Sequence, residues 1–109
     1  MLTFERYCHA WAMAVNDRDT DELMSLLSDD FKWVTYTQDP AGLDTAGTRK
    51  FCLSGGVSNV NYTSTIYDSD EIIAGMNEIT RNGEASNVLG VAKVRDGKVY
   101  EYHHIRAPK

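Results

Sequence analysis

A chain of 109 residues suits one domain, 1–109, long enough to bury a core and too short for two. Its 42% hydrophobic and 25% charged residues are globular proportions, which sets aside disorder, and no apolar run approaches the roughly 20 residues of a membrane span. A formal net charge of -5, with Arg49-Lys50 the only adjacent basic pair, argues against nucleic acid as a partner, because phosphate backbones are held by clustered Lys and Arg.

From the amino terminus, Phe4, Tyr7, Cys8, Trp11, Ala12 and Val15 recur at i, i+3, i+4, i+7, i+8 and i+11. That is one helical face, and it predicts a helix over residues 4 to 16. The segment MLTFERYCHAW carries charge where a secretory leader needs an apolar block, so the expected compartment is the cytoplasm. Asp19 followed by Glu22 has capping-box spacing and predicts a second helix carrying Leu23, Met24 and Leu27 and ending near Ser28. The period then changes. Phe31, Trp33 and Thr35 alternate with Lys32, Val34 and Tyr36, which predicts a strand. Asp39-Pro40-Ala41-Gly42 is a turn, and Thr45 to Leu53 a short helix stopped by Ser54-Gly55-Gly56.

The second half reads as four strands: NVNYTSTIYDS, DEIIAGMNEITR, EASNVLGVAKVR and KVYEYHHIRA. Asn82-Gly83 and Asp96-Gly97 separate the last three, and both dipeptides suit the positive φ values of a type I′ hairpin turn. Helices first and a curled antiparallel meander behind them predict an α+β domain. Cys8 and Cys52 form no CxxC or Cys/His spacing, so the sequence calls for reduced thiols and no metal.

The segments AMAVNDRDTDELMSLLSDDFKW, DPAG with the later AGTRKF, and VRDGKVYEYHHIR together resemble the nuclear transport factor 2-like superfamily, in its SnoaL-like and ketosteroid-isomerase-like branch. The resemblance implies a cystatin-like cone, in which a bent, mostly antiparallel sheet wraps the N-terminal helices around a small-molecule cavity. It also implies a homodimer through the outer sheet face, where Leu89 and Val91 alternate with Gly90 and Ala92. Members include isomerases, cyclases and dehydratases that need no cofactor, and also carriers, so the fold alone does not assign an activity.

His103 and His104 are neighbours in the final strand and therefore point to opposite faces, so they cannot share one ion. Alternation places Tyr100, Tyr102, His104 and Arg106 on one face and Val99, Glu101, His103 and Ile105 on the other. The resemblance turns Tyr102, His104 and Arg106 into the cavity. A histidine near its ordinary pKa of about 6.5 would serve there as acid or base, with arginine holding a carboxylate or an enolate-like oxygen.

In the isomerase-like members the general base is an aspartate at the end of the first strand in an Asp-Pro-x-Gly context. Asp39-Pro40-Ala41-Gly42 reproduces that string and Gly47-Thr48 also fits the family pattern, whereas counting from Asp29-Asp30 lands on Thr35. The oxyanion-binding tyrosine of the first helix corresponds to Trp11, whose indole N–H donates but cannot shuttle a proton. The second, protonated aspartate of the steroid isomerases falls at Gly90, which speaks against steroid isomerisation. Trp33 on the first strand, and Asn77 on the same face as Gly75 and Ile79, complete the expected lining. Tyr36 and Tyr62 are read as rim residues and His9 as a surface residue. The catalytic candidates are thus Asp39 and His104, and the substrate-binding candidates Trp11, Trp33, Thr35, Asn77, Tyr102 and Arg106. They suit a cofactor-free isomerase, cyclase or dehydratase working by proton transfer. The same cavity equally suits a noncatalytic ligand-binding or dimerisation module, or an accessory subunit docking through its outer sheet.

Overall fold

The computed structural model describes residues 1–36 and 42–109. Helix α1 (Phe4–Asn16) occupies the span that the apolar spacing predicts. The Thr3 side chain opens it by accepting from the Arg6 amide at 3.2 Å, and its buried stripe includes Phe4, Tyr7, Cys8, Trp11 and Val15. Helix α2 (Asp21–Leu26) is shorter than expected. Thr20 is its N-cap, without a side-chain cap bond; its hydroxyl accepts from Arg49 Nε at 3.1 Å, and Glu22 is turned to Arg6, whose Nε donates to Oε1 at 3.1 Å. Leu27 belongs to the following strand.

Strand β1 (Leu27–Thr35) buries Phe31, Trp33 and Thr35 in the alternation read from the sequence. Helix α3 (Thr45–Leu53) starts at Asp44, whose carboxylate accepts from the Gly47 amide at 2.8 Å. Strands β2 (Val57–Asp68), β3 (Ile72–Arg81), β4 (Glu84–Arg95) and β5 (Lys98–Pro108) complete the chain. Asn82, Gly83, Asp96 and Gly97 adopt φ of 53°, 78°, 53° and 75°, the left-handed pairs expected of both hairpins.

The sheet order is β1-β5-β4-β3-β2, antiparallel throughout except that β1 runs parallel to β5. Register shifts along the β2–β3 pairing bend the sheet over α1. Both ends of α1 are tied to β2. The Phe4 amide donates to Asp68 Oδ1 at 2.8 Å, and Asn16 makes a reciprocal pair with Val60, Nδ2 to O at 3.0 Å and N to Oδ1 at 2.9 Å. The helix is thereby laid across the concave face as the wall of a cone. Among the described residues, no helix is long and apolar enough to cross a membrane.

One strand assignment is corrected. Lys93 pairs with Glu101 but Val94 with Val99, so Tyr100 is an extra residue bulged out of β5. Val99 is consequently the inward residue, fully buried, and Tyr100 lies outside beneath the Arg95 guanidinium, 4.6 Å from its ring centre. Beyond the bulge the expected phase returns, with Tyr102 and His104 inside.

Candidate functional site

The cone encloses a cavity of about 50 Å³. Helix α1 gives it Tyr7, Cys8 and Trp11, β1 gives Trp33 and α3 gives Phe51; β3 supplies Asn77, Ile79 and Arg81, and β5 supplies Tyr102 and His104. Most of this wall is aromatic. Trp11 and Trp33 meet edge to face at 5.3 Å, Trp33 and Phe51 at 5.0 Å, and Tyr7 and Tyr102 at 5.2 Å. These are preferred ring geometries, and they fix the walls against one another.

His104 is held by Trp33, whose Nε1 donates to His104 Nδ1 at 2.6 Å inside the core. An indole nitrogen can only donate, so Nδ1 is the unprotonated nitrogen and the neutral ring carries its proton on Nε2. Burial, reinforced by the positive charges of Arg106 and Arg81, pushes the His104 pKa down to about 4. The sequence expectation of an imidazole near its ordinary pKa is corrected accordingly: at neutral pH this ring is an uncharged hydrogen-bond donor and a weak base.

Tyr7 and Trp11, one helical turn apart, contribute the site's second feature. Tyr7 Oη and Trp11 Nε1 are both buried without a hydrogen-bond partner among the described residues. Burial holds the Tyr7 phenol well above its ordinary pKa, with the charge of Tyr102 adding to this, while Trp11 pulls the other way. The indole N–H thus lies on the phenol's side, yet the two are not aligned to satisfy each other. Orphaned polar atoms at a cavity wall are uncommon in folded proteins and ask for an occupant. Burial also pushes the Cys8 thiol up to about 12, so it stays protonated.

Trp11, Trp33, Asn77, Tyr102 and His104 line the cavity. Thr35 is buried and stands in register with His104, but is not in the wall. Arg106 lies on the same strand, half-buried, with Nη1 donating to Ser86 Oγ at 3.4 Å, and reaches the site through its charge on His104. Asp39 lies outside the described residues. Two rim assignments are corrected: Tyr62 turns its hydroxyl to Thr65 Oγ1 at 2.8 Å, and Tyr36 sits outside the cone against His103. Sequence reasoning missed Tyr7 and Arg81. Arg81 is the next alternate position after Gly75, Asn77 and Ile79, and Tyr7 precedes Trp11 by four, so both were within reach of the periodicities already read.

Gly90 carries a consequence for the chemistry. It pairs with Gly75 on one side and His104 on the other, and a Cβ placed on it would overlap Tyr102 Oη. The Tyr102 hydroxyl fills the space in which a carboxylate at this position would begin. Among the described residues that line the cavity none is a carboxylate. The polar groups of the wall are donors or neutral, and the field on His104 is positive.

No family model matches the chain, and no curated protein matches it in sequence. Solved structures match its fold. An NTF2-like protein of unknown function from Burkholderia xenovorans LB400 superposes with a TM-score of 0.76 at 14% identity, covering 93% of this chain and 80% of that one. An uncharacterised cystatin-fold protein from Novosphingobium aromaticivorans gives 0.74 at 18%, covering 97% and 100%. A hypothetical protein from Catenulispora acidiphila with a ketosteroid-isomerase-like fold, in complex with trimethylamine, gives 0.67 at 16%, covering 94% and 85%.

Proposed function

We propose that this NTF2-like cone, of the ketosteroid-isomerase-like and SnoaL-like kind, binds a compact molecule through an acceptor oxygen and moves a proton beside it, as a cofactor-free isomerase, cyclase or dehydratase. The observation that carries the reading is the pair of unpartnered donors, Tyr7 Oη and Trp11 Nε1, at the wall of a cavity of about 50 Å³. A carbonyl or alkoxide oxygen satisfies both. At about 10–15 Å³ per water such a space holds a few waters, whereas drug-sized ligands occupy roughly 300–1,000 Å³. The ligand, or the part of it that enters, is small, and a steroid does not fit. The trimethylamine bound to the Catenulispora protein is also compact, which supports the size argument. It does not support the charge. Aromatic walls attract cations, but Arg106 and Arg81 already disfavour a proton on His104, so the site favours a neutral or anionic ligand.

In chemical terms, neutral donors fixed in a dry pocket stabilise negative charge as it develops on the ligand oxygen. Tyr7, Trp11 and the Nε2–H tautomer of His104 are groups of this kind. None of them takes a proton readily, and that task falls to Asp39. If Asp39 does not take it, the cavity is a binding module, the second reading favoured by a wall without a described carboxylate.

The test is α-proton exchange of small ketones and keto acids in deuterated water, read by NMR, beside a binding titration. Catalysis predicts exchange that falls by about 10²-fold or more in Asp39→Asn while binding persists. Binding without exchange selects the module, and neither result with any compound of that size overturns the reading. Met76, Leu89 and Ile105 align across β3, β4 and β5 on the outer face, with Leu89 39% and Ile105 48% exposed, which supports a second copy docking there. Sedimentation of a clean monomer at micromolar concentration overturns that part.

A further inference from the structure

On the other side of the sheet, away from the cavity, three side chains form a hydrogen-bonded line. Tyr36 Oη lies 2.7 Å from His103 Nδ1, and His103 Nε2 is bonded to Glu101 Oε1. Glu101 and His103 are outward residues of β5, and Tyr36 comes directly after the edge strand β1. The Tyr36 and His103 rings lie nearly parallel, 23° apart with centres at 5.8 Å, and Val34 and Val91 flank His103 in register. Lys93 Nζ stands 3.3 Å from Glu101 Oε1, and Lys32 faces Glu101 from β1. Among the described residues these are the charged groups around the line, and Lys93 helps to keep the carboxylate ionised.

The chemistry of the donors fixes the proton positions. A carboxylate only accepts, so Nε2 of His103 carries hydrogen, and in the neutral ring Nδ1 is the acceptor for the Tyr36 O–H. Glu101 is held below the usual carboxylate range, first by the hydrogen bond from His103 and then by Lys93. A carboxylate orienting an imidazole that accepts from a hydroxyl is the arrangement that activates a nucleophile, here with a phenol in the hydroxyl's place. The phenol is also open, at 62% exposed.

We propose that Tyr36, His103 and Glu101 form a second reactive site, in which Tyr36 accepts acyl groups from activated esters. In the step, the phenol oxygen bonds to the acyl carbon, and the bond from that carbon to the ester's leaving oxygen breaks with its electron pair. The phenol proton passes to His103 Nδ1, and the resulting imidazolium is held by Glu101. Nothing is oxidised or reduced, and the product is an aryl ester on Tyr36. The site is independent of the cavity and of the chemistry proposed there, although it shares the outward face of β5 with Ile105 of the proposed dimer contact.

p-Nitrophenyl acetate supplies the test. The intact protein is exposed to it, acetylated tyrosines are mapped by peptide mass spectrometry, and hydroxylamine treatment separates aryl esters, which it cleaves, from lysine amides, which it leaves. Tyr67 is the internal control, because at 57% exposed it matches Tyr36 for access but belongs to no such line. Tyr36 is expected to react about tenfold or more faster than Tyr67, the lower end of what a positioned base contributes. His103→Gln brings Tyr36 down to the rate of Tyr67, and Glu101→Gln gives an intermediate rate. Tyr67, read in the same molecules, normalises for reagent and recovery, and an unchanged far-UV circular dichroism spectrum and thermal midpoint show that each variant is folded. Equal rates at the two tyrosines in the native protein, or a Tyr36 rate that His103→Gln leaves untouched, overturn the proposal.

Discussion

Trp33 Nε1 donates to His104 Nδ1 at 2.6 Å within the core, and that single bond fixes which nitrogen of the only histidine lining the described cavity carries a proton. The expected NMR signature is a ring with its hydrogen on Nε2 and shifts that stay flat from about pH 5.5 to about pH 8, since the pKa is pushed down to about 4. A sigmoidal curve for His104 near pH 6.5 contradicts both the tautomer and the burial of the site. Trp33→Phe removes the donor along with part of the ring, and is expected to release Nδ1 and raise the His104 pKa.

The same residue makes the fold acid-sensitive. Its folded pKa lies below the unfolded value, so the stabilisation is complete above about pH 6.5 and disappears as pH falls through about 4. The unfolded chain binds the proton more readily in that window, so unfolding free energy rises with pH across it. From 6.5 to about 4 the difference is on the order of 3 kcal/mol at 1.36 kcal/mol per unit. Urea denaturation at a series of pH values should show this slope in the native protein and a shallower one in His104→Gln. Equal slopes would place the acid sensitivity elsewhere.

The helix α1, helix α3 and the three C-terminal hairpin strands were legible because their signals are local. Apolar spacing marks α1, the Ser54-Gly55-Gly56 stop marks the end of α3, and Asn82-Gly83 and Asp96-Gly97 mark the turns. What was not legible depends on contacts distant in the chain. Glu22 has the spacing of a cap but is drawn to Arg6, sixteen residues away. The bulge at Tyr100 emerges only when β5 is laid against β4, and it reverses the facing of Val99 and Tyr100 without leaving a local mark. In the site, strand alternation, with the inward face taken from the family resemblance, found Trp33, Asn77, Tyr102 and His104, but the low pKa of His104 required the ring to be buried in the packed core, with Arg81 of β3 added to its strand neighbour Arg106. Tyr7 was visible only as part of an apolar stripe, because whether a buried hydroxyl has a partner is a property of the packed core.

Tyr7 and Trp11 offer a test, and for Tyr7 stability and binding move in opposite directions. Their buried polar atoms are unpaired, so Tyr7→Phe removes a desolvated hydroxyl that is bonded to nothing. The variant is expected to be as stable as the native protein or more so, by about 1 kcal/mol. Trp11→Phe removes ring volume as well and is expected to cost about 1–3 kcal/mol through the space it leaves. Both should weaken binding of an oxygen-bearing ligand by about tenfold, the worth of one buried hydrogen bond. Thermal denaturation with and without ligand reads both quantities. A Tyr7→Phe protein that is strongly destabilised has lost a bond the native fold was making, and the cavity argument falls with it.

Gly90 tests whether the missing carboxylate of the steroid isomerases could be restored here. A Cβ at this position would overlap Tyr102 Oη and lie 2.8 Å from Tyr102 Cε1, so even Gly90→Ala forces the ring to move. Tyr102 packs on Tyr7 at 5.2 Å and Trp11 at 5.8 Å, and its displacement disturbs the wall that holds the orphaned donors. Overpacking of this kind costs about 1–3 kcal/mol, and Gly90→Asp adds the burial of a carboxyl group to it. Tyr102→Phe removes the hydroxyl but not Cε1, so it should relieve the Gly90→Ala strain in part. The double variant should therefore be more stable than the sum of the single effects, a coupling that a double-mutant cycle measures directly by urea denaturation. Strict additivity would show that the two positions do not touch, and that the space beside Gly90 is open to a side chain after all.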